Sequence, residues 1–275
     1  MTEAKDVSLQ GVIEIQVHTY PDVKARKDTD IGLANRMKKA GARAVVLKSH
    51  YLPTVDRAMV VREVTGFEAY GGIVLNETVG GFNPAAVENA LKLGAKIIWM
   101  PTMDAYNNRV FFGQKGGIKA VIDGKVCAPL IDILRMIAEY DVVLSMGHLS
   151  VDEQLVLADK AAEIGVTRIV VDHPEYVVVG MQADIQKKMV NTYHAFMARS
   201  GFLADLSRSY DVNAEAIKEL GDQSTVLITD AGLTQLPFWD DFMREYIAAL
   251  INKGISRQAI DTMTKKNPAT LLNLE

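Results

Sequence analysis

Eight times along this chain an apolar run short enough to be a strand is followed by a segment of helical period, and that alternation limits the fold more than any other feature. The strand-like runs fall at 13–18, 44–50, 71–76, 96–102, 142–148, 167–173, 202–207 and 226–230. The helical segments fall at 28–40, 54–64, 83–94, 129–140, 150–165, 183–200, 213–220 and 240–252. Local chemistry marks their ends. Asn83 with Pro84 gives an N-cap and a proline at the first helical position, Ser150 with Glu153 gives a capping box, and Gly41, Gly94, Gly165 and Gly254 stop helices. Each helix carries the chain back across the sheet, so successive strands run parallel and are buried on both faces. Eight units predict an α/β fold, a (β/α)8 TIM barrel in which residues 1–275 form one domain. An open doubly wound sheet is the alternative, but no GxGxxG turn follows the first strand.

One connection exceeds that plan. Residues 104–128 follow the fourth strand and contain Asp123-Gly124, a hairpin signal between two β-prone runs. A loop inserted there reads as a lid over the barrel mouth or as a dimerisation arm.

The chemistry gathers where the strands end. In the first strand Ile13, Ile15 and Val17 alternate with Glu14, Gln16 and His18, which places the polar three on one face. His18 ends the first strand, His50 the second, His148 the fifth, His173 the sixth and Asp230 the eighth, so four of the five histidines fall on one rim. In a barrel that rim carries the active site. Imidazoles and a carboxylate are the ligands of zinc, manganese or iron, and a catalytic ion keeps about three protein ligands and one open position for water. Asp230 is placed to take the proton of that water. Arg26, Arg57 and Arg208 lie in or near rim segments and suit a substrate carboxylate, and Lys48 shares strand parity with His50 and points inward to an anion.

Composition narrows the partners. The net charge of −4 argues against a nucleic-acid binder, and no stretch approaches a membrane span. The amino terminus carries acids and no apolar run, unlike a signal peptide, and Cys127 is the only cysteine, so a reducing cytoplasm is expected. The expected partner is a small molecule. The helix face of Phe242, Tyr246 and Leu250 reads as core or as the interface of a homo-oligomer.

A histidine motif on the first strand, histidines ending strands five and six, and an aspartate ending strand eight resemble the amidohydrolase superfamily of metal-dependent hydrolases. The segments VHTYPD, SMGHLS, VVDHPEY, ITDAG and the closing NPATLLNL look like an uncharacterised amidohydrolase-like group within it. The resemblance places the first-strand pair on Gln16 and His18, further ligands on His148 and His173, and the catalytic aspartate on Asp230. Gln16 stands where that family has a histidine, and an amide is a poorer ligand than imidazole. The fourth strand ends in Met100-Pro101-Thr102, without the lysine or glutamate that bridges two metals. The resemblance therefore implies one divalent metal at most, zinc first, with manganese or iron as alternatives. His50 is the candidate to replace the missing imidazole, and Glu14 from a deeper layer is a second. A metal-free form is the other reading: His18, His148 and His173 orient a carbonyl while Asp230 activates free water.

The expected function is hydrolysis of an amide or lactone bond in a small, carboxylated or cyclic substrate, with Asp230, His173 and His50 as the catalytic group. Non-oxidative decarboxylation on the same scaffold is the alternative, and a lapsed catalyst that binds a small ligand is the reading from a different class.

Overall fold

A computed structural model describes residues 1–203 and 206–274. Strand β1 (Ile13–His18) pairs in parallel with β2 (Ala44–Lys48), and β2 with β3 (Glu68–Tyr70). The chain bends and continues as β4 (Gly72–Val74), which pairs with β5 (Ile97–Trp99). A hairpin of β6 (Val121–Ile122) and β7 (Lys125–Val126) stands apart. The parallel ladder resumes from β5 to β8 (Val143–Ser145), β9 (Ile169–Asp172), β10 (Phe196–Ser200) and β11 (Thr225–Ile228). Taken together, β3 and β4 are one bent third strand, and the eight barrel positions follow chain order.

Side-chain and backbone hydrogen bonds carry the barrel across its two irregular seams. At the bend the Thr54 hydroxyl donates to Leu47 O at 2.7 Å and accepts from Gly72 N at 3.0 Å. Only glycine fits there, because a Cβ on Gly71 would lie 2.4 Å from the Thr54 carbonyl. Between β1 and β11 the His18 amide donates to Ala231 O at 2.8 Å. The Glu14 carboxylate accepts from Thr229 N and Thr229 Oγ1, both at 2.8 Å, and from Trp239 Nε1 at 3.2 Å. The fold is thus the (β/α)8 TIM barrel that the alternation implies.

The first strand corrects the expected alternation. Its register with β2 slips between Glu14 and Val17, a bulge with one extra residue on β1. Ile13 and Ile15 pack inside the barrel with Val46, Trp99 and Val170, above a plug of Leu271, Leu272 and Leu274. Val17 packs outward with the helical shell. Beyond the bulge Gln16 and His18 turn inward, while Glu14 is spent on the seam and does not reach the rim.

The seventh unit also differs. The helix is Ala183–Tyr193, ended by His194 in a left-handed conformation, and the strand is Phe196–Ser200. Read by period alone, AFMARS continues the helix; in the fold, pairing on both sides with β9 and β11 overrides that. The strand expected at 202–207 is displaced by this finding, and residues 204 and 205 lie outside the described residues. The following helix is Leu206–Leu220 rather than 213–220.

The long insertion contains a helix, Tyr106–Phe111, and then the hairpin, whose Asp123 and Gly124 have φ of 49° and 73°, as a type I′ turn requires. It is tied down by Ala120 N donating to Glu153 Oε1 at 2.9 Å. Phe242, Tyr246 and Leu250 are core, each 0% exposed.

Burial pushes the Glu14 carboxyl up from 4.5 to about 7, against the pull of its donors at Thr229, Gln16 and Trp239. A carboxyl that holds its proton more tightly when folded makes stability fall as pH rises from 4.5 through about 7. The expected loss is roughly 3 kcal/mol. Urea unfolding of the native chain and of Glu14→Gln at pH 5 and pH 8 checks this: the native chain should be the less stable at pH 8, with that slope reduced in the variant.

Candidate active site

The carboxyl ends of the strands surround a cavity of about 430 Å³ lined by His18, Arg26, Lys48, His50, Met103, His148, His173, Tyr176 and Asp230, among others. All four rim histidines, Lys48 and Asp230 therefore meet at one mouth. A hollow of about 520 Å³ at the other end of the barrel, around Arg168, His194 and Thr270, has no carboxylate in its lining.

Backbone geometry aims two of these groups. His173 and Asp230 have φ of 29° and 52°, left-handed values that cost a non-glycine residue energy and recur where function demands a particular side-chain direction. Beyond Asp230 the chain passes so close to β1 that a Cβ on Gly232 would lie 2.1 Å from the His18 carbonyl oxygen.

The imidazoles form two pairs. His18 stacks on His50 with ring centres 4.6 Å apart, and His148 meets His173 edge-on at 5.0 Å. His50 Nδ1 lies 2.8 Å from Thr102 Oγ1. His148 Nδ1 lies 2.9 Å from Asn108 Oδ1, and the Asn108 amide nitrogen donates to Met103 O at 3.1 Å. That oxygen only accepts, so Nδ1 of His148 carries the proton and Nε2 keeps its lone pair. The insertion thus supplies the residue that orients His148. Burial lowers all four imidazoles from 6.5, His50 and His148 well below it, and neighbouring positive charge adds to the effect. Asp230 opposes the shift at His18 and His173, and the net direction for all four favours the neutral form.

Asp230 is held differently. Its Oδ1 accepts from Gln16 Nε2 at 2.8 Å and lies 3.4 Å from His18 Nε2. Burial alone would raise its pKa, but His18, Lys48 and His173 outweigh burial and hold it well below 3.8. The Gln16 amide and the Lys48 charge favour the anion whichever state His18 adopts. Asp230 is the ionised group of the mouth.

Lys48 is 1% exposed and lies 5.3 Å from the centre of the Trp99 ring. Burial lowers its pKa from 10.5, while Asp172 and Asp230 pull it back up. Asp172 was not singled out by the sequence reading, although it shares the parity of the inward Val170. It is 1% exposed, with Oδ2 accepting from Ser145 Oγ and from Gly147 N at 2.8 Å. Arg199 was hidden too, by the misplaced seventh strand; wholly buried, it pairs with Glu175 beside Tyr176.

The expected substrate-binding arginines separate. Arg26 lines the cavity, with Nε donating to Asp22 Oδ2 at 2.8 Å and Nη2 3.4 Å from His18 Nδ1. Arg57 faces away: it grips Asp30 through two bonds of 2.8 and 2.7 Å and donates to Thr19 O at 3.0 Å. It braces the loop after β1 and is not positioned for substrate. Arg208 sits exposed on the helix Leu206–Leu220, outside the cavity lining.

The donor set as folded does not fit a divalent ion well. Among the described residues no group of three His, Cys, Asp or Glu side chains is arranged to hold one. His18 Nε2 lies 3.4 Å from Asp230 Oδ1, the Gln16 amide occupies the same oxygen, and the Lys48 ammonium lines the same cavity. No step is therefore assigned to a metal.

The fold has solved relatives. A protein assigned as a 2-pyrone-4,6-dicarboxylic acid hydrolase from Pseudomonas putida matches over 98% of this chain and 99% of its own, with a TM-score of 0.65 and 17% identity. An amidohydrolase from Burkholderia multivorans solved with bound zinc gives 0.64 and 12% over 96% and 99%. A 2,6-dihydroxybenzoate decarboxylase solved with 2,6-dihydroxybenzoate gives 0.61 and 13% over 96% and 100%. At these identities the likeness is one of fold, the barrel of amidohydrolase-type proteins. By sequence, residues 11–198 match the family of unknown function DUF6282, and the chain belongs to that family. No curated protein matches its sequence.

The placement of Arg57 predicts that Arg57→Ala lowers unfolding stability by about 2 kcal/mol, because Asp30 is left buried without its partner. Urea unfolding should show the loss, and binding of a small carboxylate in the cavity should not change.

Proposed function

We propose that this protein is a hydrolase that adds water to the carbonyl of a small carboxylated lactone or amide. The observation that carries the reading is the Asp230 carboxylate 3.4 Å from His18 Nε2, in a cavity that also presents Lys48 and Arg26. Asp230 holds the attacking water and takes its proton, sharing it with the His18 imidazole as one coupled pair. His148 and His173, neutral and turned to the cavity, position the carbonyl, and His50 backs His18 by stacking. Arg26 sits where it can grip a substrate carboxylate. Collapse of the tetrahedral adduct returns the proton to the leaving oxygen or nitrogen.

The solved decarboxylase supports a second reading on the same scaffold, loss of carbon dioxide from a small aromatic or cyclic acid. The relative solved with zinc would favour a divalent ion, but the residues present do not fit one, and the reading carries no metal. The lone Cys127 suits a reducing compartment, and the cytoplasm is the location we favour; among the described residues no helix is long and apolar enough to cross a membrane.

A screen of small lactones and cyclic amides in ¹⁸O-water tests the reading. Hydrolysis puts one solvent oxygen into the product, and Asp230→Asn should cut turnover by about 10³-fold or more with the fold intact. Carbon dioxide release without ¹⁸O uptake, or near-normal activity in Asp230→Asn, overturns it.

A further inference from the structure

Lys48 is the group the proposed mechanism leaves unexplained. Its ammonium lies on the floor of the cavity, on an inward position of β2 directly beside His18, over the Trp99 ring. It is 1% exposed. Yet among the described residues Lys48 Nζ makes no hydrogen bond and no ion pair. An ammonium in that state has given up its hydration and left its donors unused, which is costly unless a ligand completes it. Neither nearby carboxylate bonds it: Asp172 Oδ2 accepts from Ser145 and Gly147, its buried Oδ1 has no hydrogen-bond partner either, and Asp230 accepts from Gln16. The side chain lines the cavity, where a ligand can reach it.

We infer that Lys48 takes the place of the missing metal ion, binding the substrate's carbonyl oxygen and neutralising the oxyanion formed when water adds. The inference rests on the hydrolase reading and names its electrophile. As the water oxygen bonds to the carbonyl carbon, its proton passes to Asp230 and the carbonyl electron pair moves onto the oxygen facing Lys48 Nζ. When the adduct collapses, that pair re-forms the carbonyl, the bond to the leaving oxygen or nitrogen breaks, and the leaving atom takes the proton from Asp230. No co-reactant beyond water is required. Gln16 fits this arrangement: with a lysine on the floor, an imidazole ligand on β1 has no ion to bind, and an amide that steadies Asp230 serves instead.

The test uses methylphosphonate, a tetrahedral oxyanion, as the probe, with binding measured by calorimetry on intact protein dialysed against a chelator. The native chain should bind it, Lys48→Met should weaken binding at least tenfold, and Lys48→Gln should do the same while circular dichroism shows the native fold. Absence of binding to the native chain, unchanged affinity in both variants, or binding that appears only after zinc is added overturns the inference. With any lactone or amide found to turn over, Lys48→Met should lower kcat by about 10²-fold or more with little change in KM. A raised KM at constant kcat would instead make Lys48 an anchor for a substrate carboxylate. Binding at Lys48 without water-dependent turnover sinks the hydrolase reading and leaves the anion site standing.

Discussion

A positive charge buried at the centre of the mouth is the constraint around which the rest of this site is arranged. Lys48 has almost no contact with solvent, so its charge is weakly screened and acts on the four imidazoles and Asp230. It favours neutral imidazoles and an ionised Asp230. A site of this kind meets an incoming carbonyl with an acceptor and a cation, the cation already withdrawn from water. Preorganised charge of that sort is the largest contributor to catalysis in many enzymes.

The barrel makes that arrangement affordable by concentrating it. Deeper in the barrel the interior is an apolar layer that includes Ile13, Ile15, Val46, Trp99 and Val170, closed by the plug of Leu271, Leu272 and Leu274. Above it every polar residue is supplied by a strand end or the loop behind one. The bulge in β1 is central, because it separates Glu14, which ties the seam, from Gln16 and His18, which face the substrate. Without that extra residue the first strand would present one or the other, and not both.

Much of this could be read in the sequence. The alternation of strands and helices, the convergence of His18, His50, His148, His173 and Asp230, and the inward parity of Lys48 follow from periods of two and 3.6. What escaped was tertiary. The bulge breaks the period inside one strand, and AFMARS has a helical look that only its neighbours in the sheet overrule. Arg57 and Arg26 are alike as letters in rim loops, yet one is taken by Asp30 and the other opens on the cavity. Asp172 was masked by the histidine after it, although its parity with Val170 was available. The three-dimensional spacing of donors, which decides whether a metal fits, cannot be read along a chain.

The account's central claim is that a lysine, and not a metal ion, occupies the electrophilic position. Anomalous scattering from crystals grown without chelator and soaked in bromide tests it most directly. The account predicts a bromide peak within hydrogen-bonding distance of Lys48 Nζ and no peak at the zinc, manganese or iron edge. A metal-edge peak held by His18 and Asp230, with the lysine turned aside, would contradict it.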